Sequence, residues 1–124
     1  MKYYLDSSAL VGMLKFERRT ADLLTLIDGH EICASELAVT ELHLALAQSG
    51  VNLGHLQQIR EALTTYSVEQ AVLNLAGRLE APSLKVVDAI HLATAINADV
   101  DGYVTFDPQQ AQVARYVGLP VVTI

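Results

Sequence analysis

The chain lacks the residues that mark several classes of protein. Its 124 residues include one cysteine, three prolines and no tryptophan. A single cysteine, Cys33, excludes an internal disulfide and fits a reducing compartment. No apolar run approaches the ~18 residues that a membrane-spanning helix needs, and no signal-peptide core follows the first residues. We therefore expect a cytoplasmic protein with one domain over residues 1–124.

Basic residues are also scarce. Eight lysines and arginines stand against 14 aspartates and glutamates, which gives a net charge of −6 and an isoelectric point near 5.0. Such a surface repels the phosphates of nucleic acids, although a bound cation can reverse the local field. What is abundant is apolar: 52% of the residues are hydrophobic, which implies a large core, an oligomer interface, or both.

Apolar residues follow two spacings that alternate along the chain. Short apolar runs predict strands at KYYL, EICAS, GYVTF and PVVTI, with a further strand near residues 66–68. Longer segments with apolar residues every three or four positions predict helices between these strands. Strands that alternate with helices indicate an α/β fold, with a parallel sheet covered on both faces.

Three helix boundaries are predicted from capping residues. Gly50 is expected to end the helix in SELAVTELHLALAQSG. Asn52 is expected to cap the next helix, which is predicted to continue through LTTY to Tyr66. Ser67 and Gln70 have the spacing of a capping box at the start of a further helix.

Two aspartates directly follow predicted strands. Asp6 ends KYYL and Asp107 ends GYVTF, and a helix comes after each. The carboxyl ends of parallel strands form the edge at which open α/β sheets bind their ligands, so the two side chains can converge there. Each also suits the N-cap of the following helix, Asp107 especially because Pro108 comes next. Taken singly, each residue leaves both interpretations open.

Two further acids lie in apolar helices. Projection at about 100° per residue places Glu41 inside the apolar arc of its helix. A buried salt bridge is the alternative, but that helix contains no lysine or arginine. Asp88 lies at the edge of the apolar arc of KVVDAIHLATA, where stabilisation of the first turn through the helix dipole is the alternative.

Four carboxylates without matching bases favour a shared cation. They are Asp6, Glu41, Asp88 and Asp107. Hard oxygen ligands without a Cys/His cluster favour Mg²⁺ or Mn²⁺ over zinc. Such ions cleave phosphodiesters by activating a water molecule and stabilising the leaving oxygen. A cation would also attract phosphate to an otherwise acidic protein.

Four segments, in order along essentially the whole chain, carry a family resemblance. They are YLDSSAL, SELAVTELHLAL, DAIHLATA and YVTFDPQQAQVARYVGLPVV. Together they resemble the PIN-domain ribonucleases, and among these the VapC-type toxins of bacterial and archaeal toxin–antitoxin pairs. The resemblance implies a three-layer α/β/α sandwich whose five-stranded parallel sheet has the order 3-2-1-4-5.

The same resemblance implies a site and its partners. The catalytic and metal-binding residues would be Asp6, Glu41, Asp88 and Asp107. Residues that orient these carboxylates or a water molecule would be Ser7, Ser8 and Thr105. The implied partners are an RNA substrate, a second copy in a homodimer, and an antitoxin whose tail covers the acidic site.

Some residues depart from the family pattern, and others are interpreted as structural or solvent-exposed without a role in the site. Such toxins often carry a basic residue after the last aspartate, where this chain has Pro108, Gln109 and Gln110. The basic cluster of Lys15, Arg18 and Arg19 is interpreted as solvated charge, with RNA contact as the alternative. His91 is interpreted as a structural histidine that helps to position Asp88. Core or interface packing is expected for Tyr3, Tyr4, Tyr66 and Tyr103.

The predicted function is a Mg²⁺- or Mn²⁺-dependent endoribonuclease, a toxin that cleaves cellular RNA and arrests growth. The main alternative is a PIN-fold module that binds RNA or protein without cleavage. A receiver-like phosphotransfer domain is disfavoured, because the last predicted strand, PVVTI, offers no lysine.

Overall fold

Five strands form one parallel sheet. The computed structural model describes residues 1–49 and 53–124, except the side chains of residues 49 and 53. The strands are β1 (Lys2–Leu5), β2 (Glu31–Ser35), β3 (Leu63–Tyr66), β4 (Gly102–Val104) and β5 (Val121–Val122). Their order is β3-β2-β1-β4-β5, and each pairing is parallel. The predicted α/β class and strand order are therefore confirmed.

Seven helices connect these strands within the described residues. They are α1 (Ser7–Leu14), α2 (Thr20–Ile27), α3 (Glu36–Ser49), α4 (Leu53–Ala62), α5 (Gln70–Arg78), α6 (Val86–Asn97) and α7 (Pro108–Tyr116). Across residues 1–49 and 53–124, no helix is long and apolar enough to cross a membrane.

The two faces of the sheet pack against different helices. Alternate residues of a strand point to opposite faces, so Tyr3 and Leu5 of β1 join a core with α1 to α4. Tyr4, between them, joins a second core with α6 and α7. Cys33 lies in this second core, and burial raises the pKa of its thiol to about 12. The helices that pack against these two cores form the outer layers of an α/β/α sandwich.

Two predicted boundaries are wrong. Leu63–Tyr66 is strand β3, which pairs with β2, and not the end of a helix. The strand predicted near residues 66–68 therefore lies earlier in the chain than expected. Two adjacent threonines favour this outcome, because β-branched side chains fit an extended strand better than a helix. The capping box is also absent: the N-cap of α5 is Glu69, without a side-chain hydrogen bond. The predictions for Gly50 and Asn52 concern residues outside the described ranges.

The strand order places β1 and β4 side by side at the switch point of the sheet. Leu5 pairs with Val104 in register, and the Asp6 N–H donates to the Val104 carbonyl at 3.2 Å. The chain leaves β1 toward β2 and β3 on one side, and β4 and β5 lie on the other. Residues that follow β1 and β4 therefore share the crevice where such sheets bind ligands.

A glycine allows α1 to lie against the end of β4. A methyl group built on Gly12 would be 2.3 Å from the nearest ring carbon of Phe106. No side chain larger than hydrogen fits there without movement of the ring. Gly12 therefore sets the distance between α1 and the residues after β4.

Candidate active site

Asp6 lies at the start of α1 as its N-cap. Its Oδ1 accepts hydrogen bonds from the Ala9 N–H at 3.1 Å and from the Ser8 hydroxyl at 2.7 Å. The residue is only 4% exposed. Burial raises the pKa of Asp6, and the nearby hydroxyls of Thr105 and Ser8 oppose that rise. Asp6 therefore combines the capping role with a desolvated carboxylate at the strand end.

Two hydroxyls join Asp6 to the end of β4. Ser8 Oγ lies 3.0 Å from Thr105 Oγ1 and accepts from the Phe106 N–H at 2.9 Å. Because Ser8 gives its proton to Asp6, Thr105 must donate in the Ser8–Thr105 contact. Of the two serines that the sequence proposes, Ser8 is the one in this network. Ser7 is half-buried and has no side-chain hydrogen bond within residues 1–49 and 53–124.

Asp107 follows β4 and is the N-cap of α7. Its Oδ1 accepts from the Gln109 N–H at 2.9 Å, and Pro108 occupies the first helical position. The Asp107 side chain is exposed. It lines a cavity of about 220 Å³ together with Asp88 and Lys85. The structure therefore brings two of the four predicted acids to one cavity.

Asp88 lies in the first turn of α6 and is half-buried. Burial is the main cause that raises the pKa of Asp88, and the negative charges of Asp107 and Glu41 raise it further. His91 and Lys85 act in the opposite direction. The charges that act on Asp88 therefore include acids from α3 and from the cap of α7.

Glu41 has a partner that the sequence interpretation did not identify. Its Oε1 lies 2.6 Å from Nε2 of His91, whose side chain is 1% exposed against 26% for Glu41. The other ring nitrogen, Nδ1, lies 2.7 Å from the hydroxyl of Tyr4. The ring of His91 therefore bonds Glu41 and Tyr4, and no hydrogen bond joins it to Asp88 within the described residues. Its expected role in positioning Asp88 stays a prediction.

Tyr4 is the functional neighbour that sequence reasoning missed. Its ring is buried in the second core, as expected, and stacks on Tyr103 with 5.3 Å between ring centroids. A buried phenol needs a hydrogen-bond partner, however. For the Tyr4 hydroxyl that partner is Nδ1 of His91, which comes from the distant helix α6. The signal in the sequence is a histidine within the mostly apolar segment of residues 89–95 in α6.

The donor chemistry of the acids suits a hard cation. Within the described residues, the hydrogen bonds to Asp6, Asp107 and Glu41 all fall on one oxygen of each carboxylate. One oxygen of each is thus anchored by the protein, as ligands of Mg²⁺ or Mn²⁺ commonly are. In residues 1–49 and 53–124, no three His, Cys, Asp or Glu side chains are arranged to hold an ion as they stand. The carboxylate ligands therefore suit Mg²⁺ or Mn²⁺, but their side chains would have to move closer together to bind one ion.

One of the three clustered basic residues lies beside the acids. Lys15 and Arg18 are exposed. Arg19 donates to the Phe106 carbonyl at 3.2 Å, and its guanidinium carbon lies 4.2 Å from the centroid of the Phe106 ring. Arg19 and Asp107 line a cavity of about 230 Å³ that Arg115 also borders. The Arg19 side chain is 42% exposed and also lies 3.9 Å from the Glu17 carboxylate, so it is a partly solvated charge that contacts with Phe106 hold in place.

Comparison with known proteins identifies the family. The family model described as "PIN domain" matches residues 3–116. The chain belongs to the PIN domain family. The resemblance carried by the four sequence segments is therefore confirmed, and all four predicted acids lie within the matched part of this PIN domain.

Relatives of this PIN domain are named as ribonucleases. Ribonuclease VapC46 of Mycobacterium tuberculosis is 33% identical, with 96% of this chain and 95% of the relative covered. Ribonuclease VapC47 of the same species is 30% identical, with 93% and 91% covered. The relatives match this chain over nearly their whole length.

Solved structures share the fold of this PIN domain. A Rickettsia felis VapBC2 structure, bound to a DNA fragment from its promoter, aligns with a TM-score of 0.77 at 17% identity, covering 98% of both chains. Mycobacterium tuberculosis VapC20, described as a toxin that cleaves the sarcin–ricin loop, aligns with a TM-score of 0.75 at 16% identity. That alignment covers 98% of this chain and 99% of the other. At these identities the likeness concerns the fold.

Proposed function

We propose that the chain is a Mg²⁺- or Mn²⁺-dependent endoribonuclease, the toxin of a toxin–antitoxin pair. The observation that carries the proposal is that Asp6 and Asp107 follow neighbouring strands of a PIN domain and that Asp88 lines a cavity together with Asp107. The negative charges of Asp107 and Glu41 both raise the pKa of Asp88, which supports a shared role for these three acids. The names of the curated relatives, all VapC ribonucleases, support the same chemistry.

The acids would hold the cation that the reaction needs. The residues are Asp6, Glu41, Asp88 and Asp107. When bound, such an ion activates a water molecule and stabilises the leaving oxygen of a phosphodiester. Its positive charge would also offset the raised pKa values of Asp6 and Asp88, since a nearby cation favours the ionised carboxylate.

Residues around the acids would act by orientation and by charge. Ser8, backed by Thr105, holds Asp6 Oδ1 in place. Arg19 lines a cavity together with Asp107 and would contribute positive charge toward the RNA backbone. This local charge matters because the chain as a whole carries a net charge of −6.

The biological setting is part of the proposal. Solved structures of the same fold include a toxin–antitoxin complex from Klebsiella pneumoniae, with a TM-score of 0.74 at 20% identity. We propose a cognate antitoxin that covers the acidic site, a homodimer, one PIN-like domain over residues 1–124, and action in the cytoplasm. The buried free Cys33 is consistent with a reducing compartment.

Cleavage of RNA with and without metal tests this function. Purified protein freed of metal by a chelator should leave RNA intact, and added Mg²⁺ or Mn²⁺ should restore cleavage. A well-folded protein that binds RNA but never cuts it with either ion would support the binding module instead.

A further inference from the structure

A buried series of hydrogen bonds links the sheet to Glu41. The Ser35 N–H donates to the Tyr4 hydroxyl oxygen at 3.1 Å, and that hydroxyl lies 2.7 Å from Nδ1 of His91. Nε2 of His91 lies 2.6 Å from Oε1 of Glu41. Tyr4 and His91 are buried, while the Glu41 side chain reaches the surface. The series therefore runs from the protein interior to the rim of the acidic site.

The direction of each bond follows from the available protons. The Ser35 amide can only donate, so it occupies a lone pair of the Tyr4 oxygen. Tyr4 has one proton, and among the described residues Nδ1 of His91 is the acceptor within reach. A tyrosine hydroxyl keeps its proton at neutral pH, because its ordinary pKa is about 10. Nδ1 is therefore an acceptor, and the ring proton lies on Nε2, facing Glu41.

The opposite tautomer leaves two defects. With its proton on Nδ1, His91 would donate to Tyr4, and the Tyr4 proton would be buried without an acceptor, which is costly. Nε2 would then present a lone pair to Glu41 at 2.6 Å, and the contact would require a protonated carboxyl group. The Nε2–H tautomer satisfies every group in the series with an ionised Glu41.

We propose that His91 is a positioning residue: held by Tyr4 as the Nε2–H tautomer, it fixes one oxygen of Glu41 and leaves the other for the acidic site. The part of this inference that concerns a ligand of Glu41 rests on the proposed function. The tautomer and the fixed carboxylate rest on the geometry alone. Partners of this kind, one shell behind a metal ligand, set ligand orientation.

Nitrogen NMR of the metal-free full chain tests the tautomer. The chain has four histidines, and the His91→Gln variant identifies the His91 signals by their loss. Two-bond ¹H–¹⁵N correlations at neutral pH should show neutral His91 protonated on Nε2. In Tyr4→Phe, which removes the donor to Nδ1, a mixture of tautomers should appear. A wild-type His91 that is protonated on Nδ1, or on both nitrogens, would overturn the proposal.

Variants at position 91 test the positioning role. His91→Leu removes the N–H that faces Glu41, whereas the amide of His91→Gln can still donate to it. Loss of such a partner costs roughly 10–100-fold in metal affinity or activity. We expect a loss of this size for Leu in Mn²⁺ affinity and RNA cleavage, and substantial rescue by Gln.

Thr94→Val is the matched control, because it removes a buried hydroxyl of the same helix whose one hydrogen bond among the described residues goes to the Ile90 carbonyl. It should bind Mn²⁺ and cleave RNA like the wild type. A Leu variant that equals the wild type, or a Gln variant as defective as Leu, would overturn the positioning role. A wild-type chain that neither binds Mn²⁺ nor cleaves RNA would overturn the proposed function instead, and the NMR result would then decide on His91 by itself.

Discussion

Ser8 and Thr105 stand 97 residues apart in the chain, and their hydroxyl oxygens lie 3.0 Å apart. Ser8 also donates to Asp6 and accepts from the Phe106 N–H. One hydroxyl therefore ties the start of α1 to the end of β4, at the point where the sheet reverses its strand order. The first acid of the site is held in place by this link.

Removal of the Ser8 hydroxyl should destabilise the protein. Ser8→Ala leaves the Phe106 N–H without its Ser8 partner and takes one hydrogen bond each from Asp6 and from Thr105, whose hydroxyl still accepts from the Asp107 N–H. A partner lost from a buried polar group costs about 1–3 kcal/mol of unfolding free energy. Urea denaturation measures the change. Ser7→Ala is the control and should stay within about 0.5 kcal/mol of the wild type; equal losses in the two variants would argue against the network.

A methyl group at Gly12 should also destabilise the protein. Gly12→Ala places a carbon against the Phe106 ring, and overpacking of this kind costs about 1–3 kcal/mol. In α5, Gly77→Ala meets no atom within 4 Å and should instead stabilise the helix by roughly 0.5–1 kcal/mol. Thermal unfolding of both variants compares them. If Gly12→Ala melted above Gly77→Ala, the close approach of α1 and Phe106 would be refuted.

The pH dependence of stability should reveal the desolvated acids. Burial raises the pKa of Asp6, and burial with the charges of Asp107 and Glu41 raises that of Asp88. A carboxyl group with a raised folded pKa contributes stability that is present below its unfolded pKa, about 4. That stability is lost as the pH rises through the folded pKa. The metal-free wild type should therefore lose stability from these groups as the pH rises above about 4.

Asparagine variants supply the control for this pH effect. Asp6→Asn and Asp88→Asn do not titrate, and asparagine caps a helix about as well as aspartate. Each should match or exceed the wild-type unfolding free energy at pH 7, with a gap that narrows toward pH 4. Urea unfolding at several pH values measures this gap. A gap that widened on acidification would show that the ionised acids stabilise the metal-free fold.

Divalent cations should stabilise the folded chain. A ligand that binds only the folded state adds about 2.7 kcal/mol at a concentration of 100 times its Kd. Mn²⁺ should raise the melting temperature of the wild type, and a chelator should reverse the rise. The effect should shrink in Asp88→Asn but persist in Glu69→Gln, whose side chain is exposed at the start of α5. The same rise in both variants would place the ion elsewhere.

Asp6→Asn should abolish RNA cleavage while the fold survives. The change keeps the shape of the side chain and removes one negative charge that would hold the cation. Loss of several kcal/mol of transition-state stabilisation corresponds to a rate reduction of roughly a thousandfold or more. In a bacterium, the wild type should stop growth, Glu69→Gln should remain toxic, and Asp6→Asn should be harmless. A folded Asp6→Asn variant that cuts RNA at the wild-type rate would contradict the proposed mechanism.

Local pattern in the sequence determined several features of this protein. Strands β1 and β2 begin and end as their apolar runs indicate. Asp6 and Asp107 could be placed after strands because a strand end and a helix cap are properties of neighbouring residues. The α/β class followed from the alternation of elements, and the strand order followed from the family resemblance.

Tertiary structure decided what depends on residues distant in the chain. Leu63–Tyr66 continues a helical pattern in the sequence and became a strand because β2 offers a parallel partner. Glu41 is hydrogen-bonded to His91, 50 residues away, and not to a lysine or arginine. His91 is in turn hydrogen-bonded to Tyr4, 87 residues away. Helical periodicity shows that a polar group is buried, but it does not show which partner satisfies it. That partner is fixed only when α3, α6 and β1 pack together, because a buried hydrogen bond joins whichever groups the fold brings within reach.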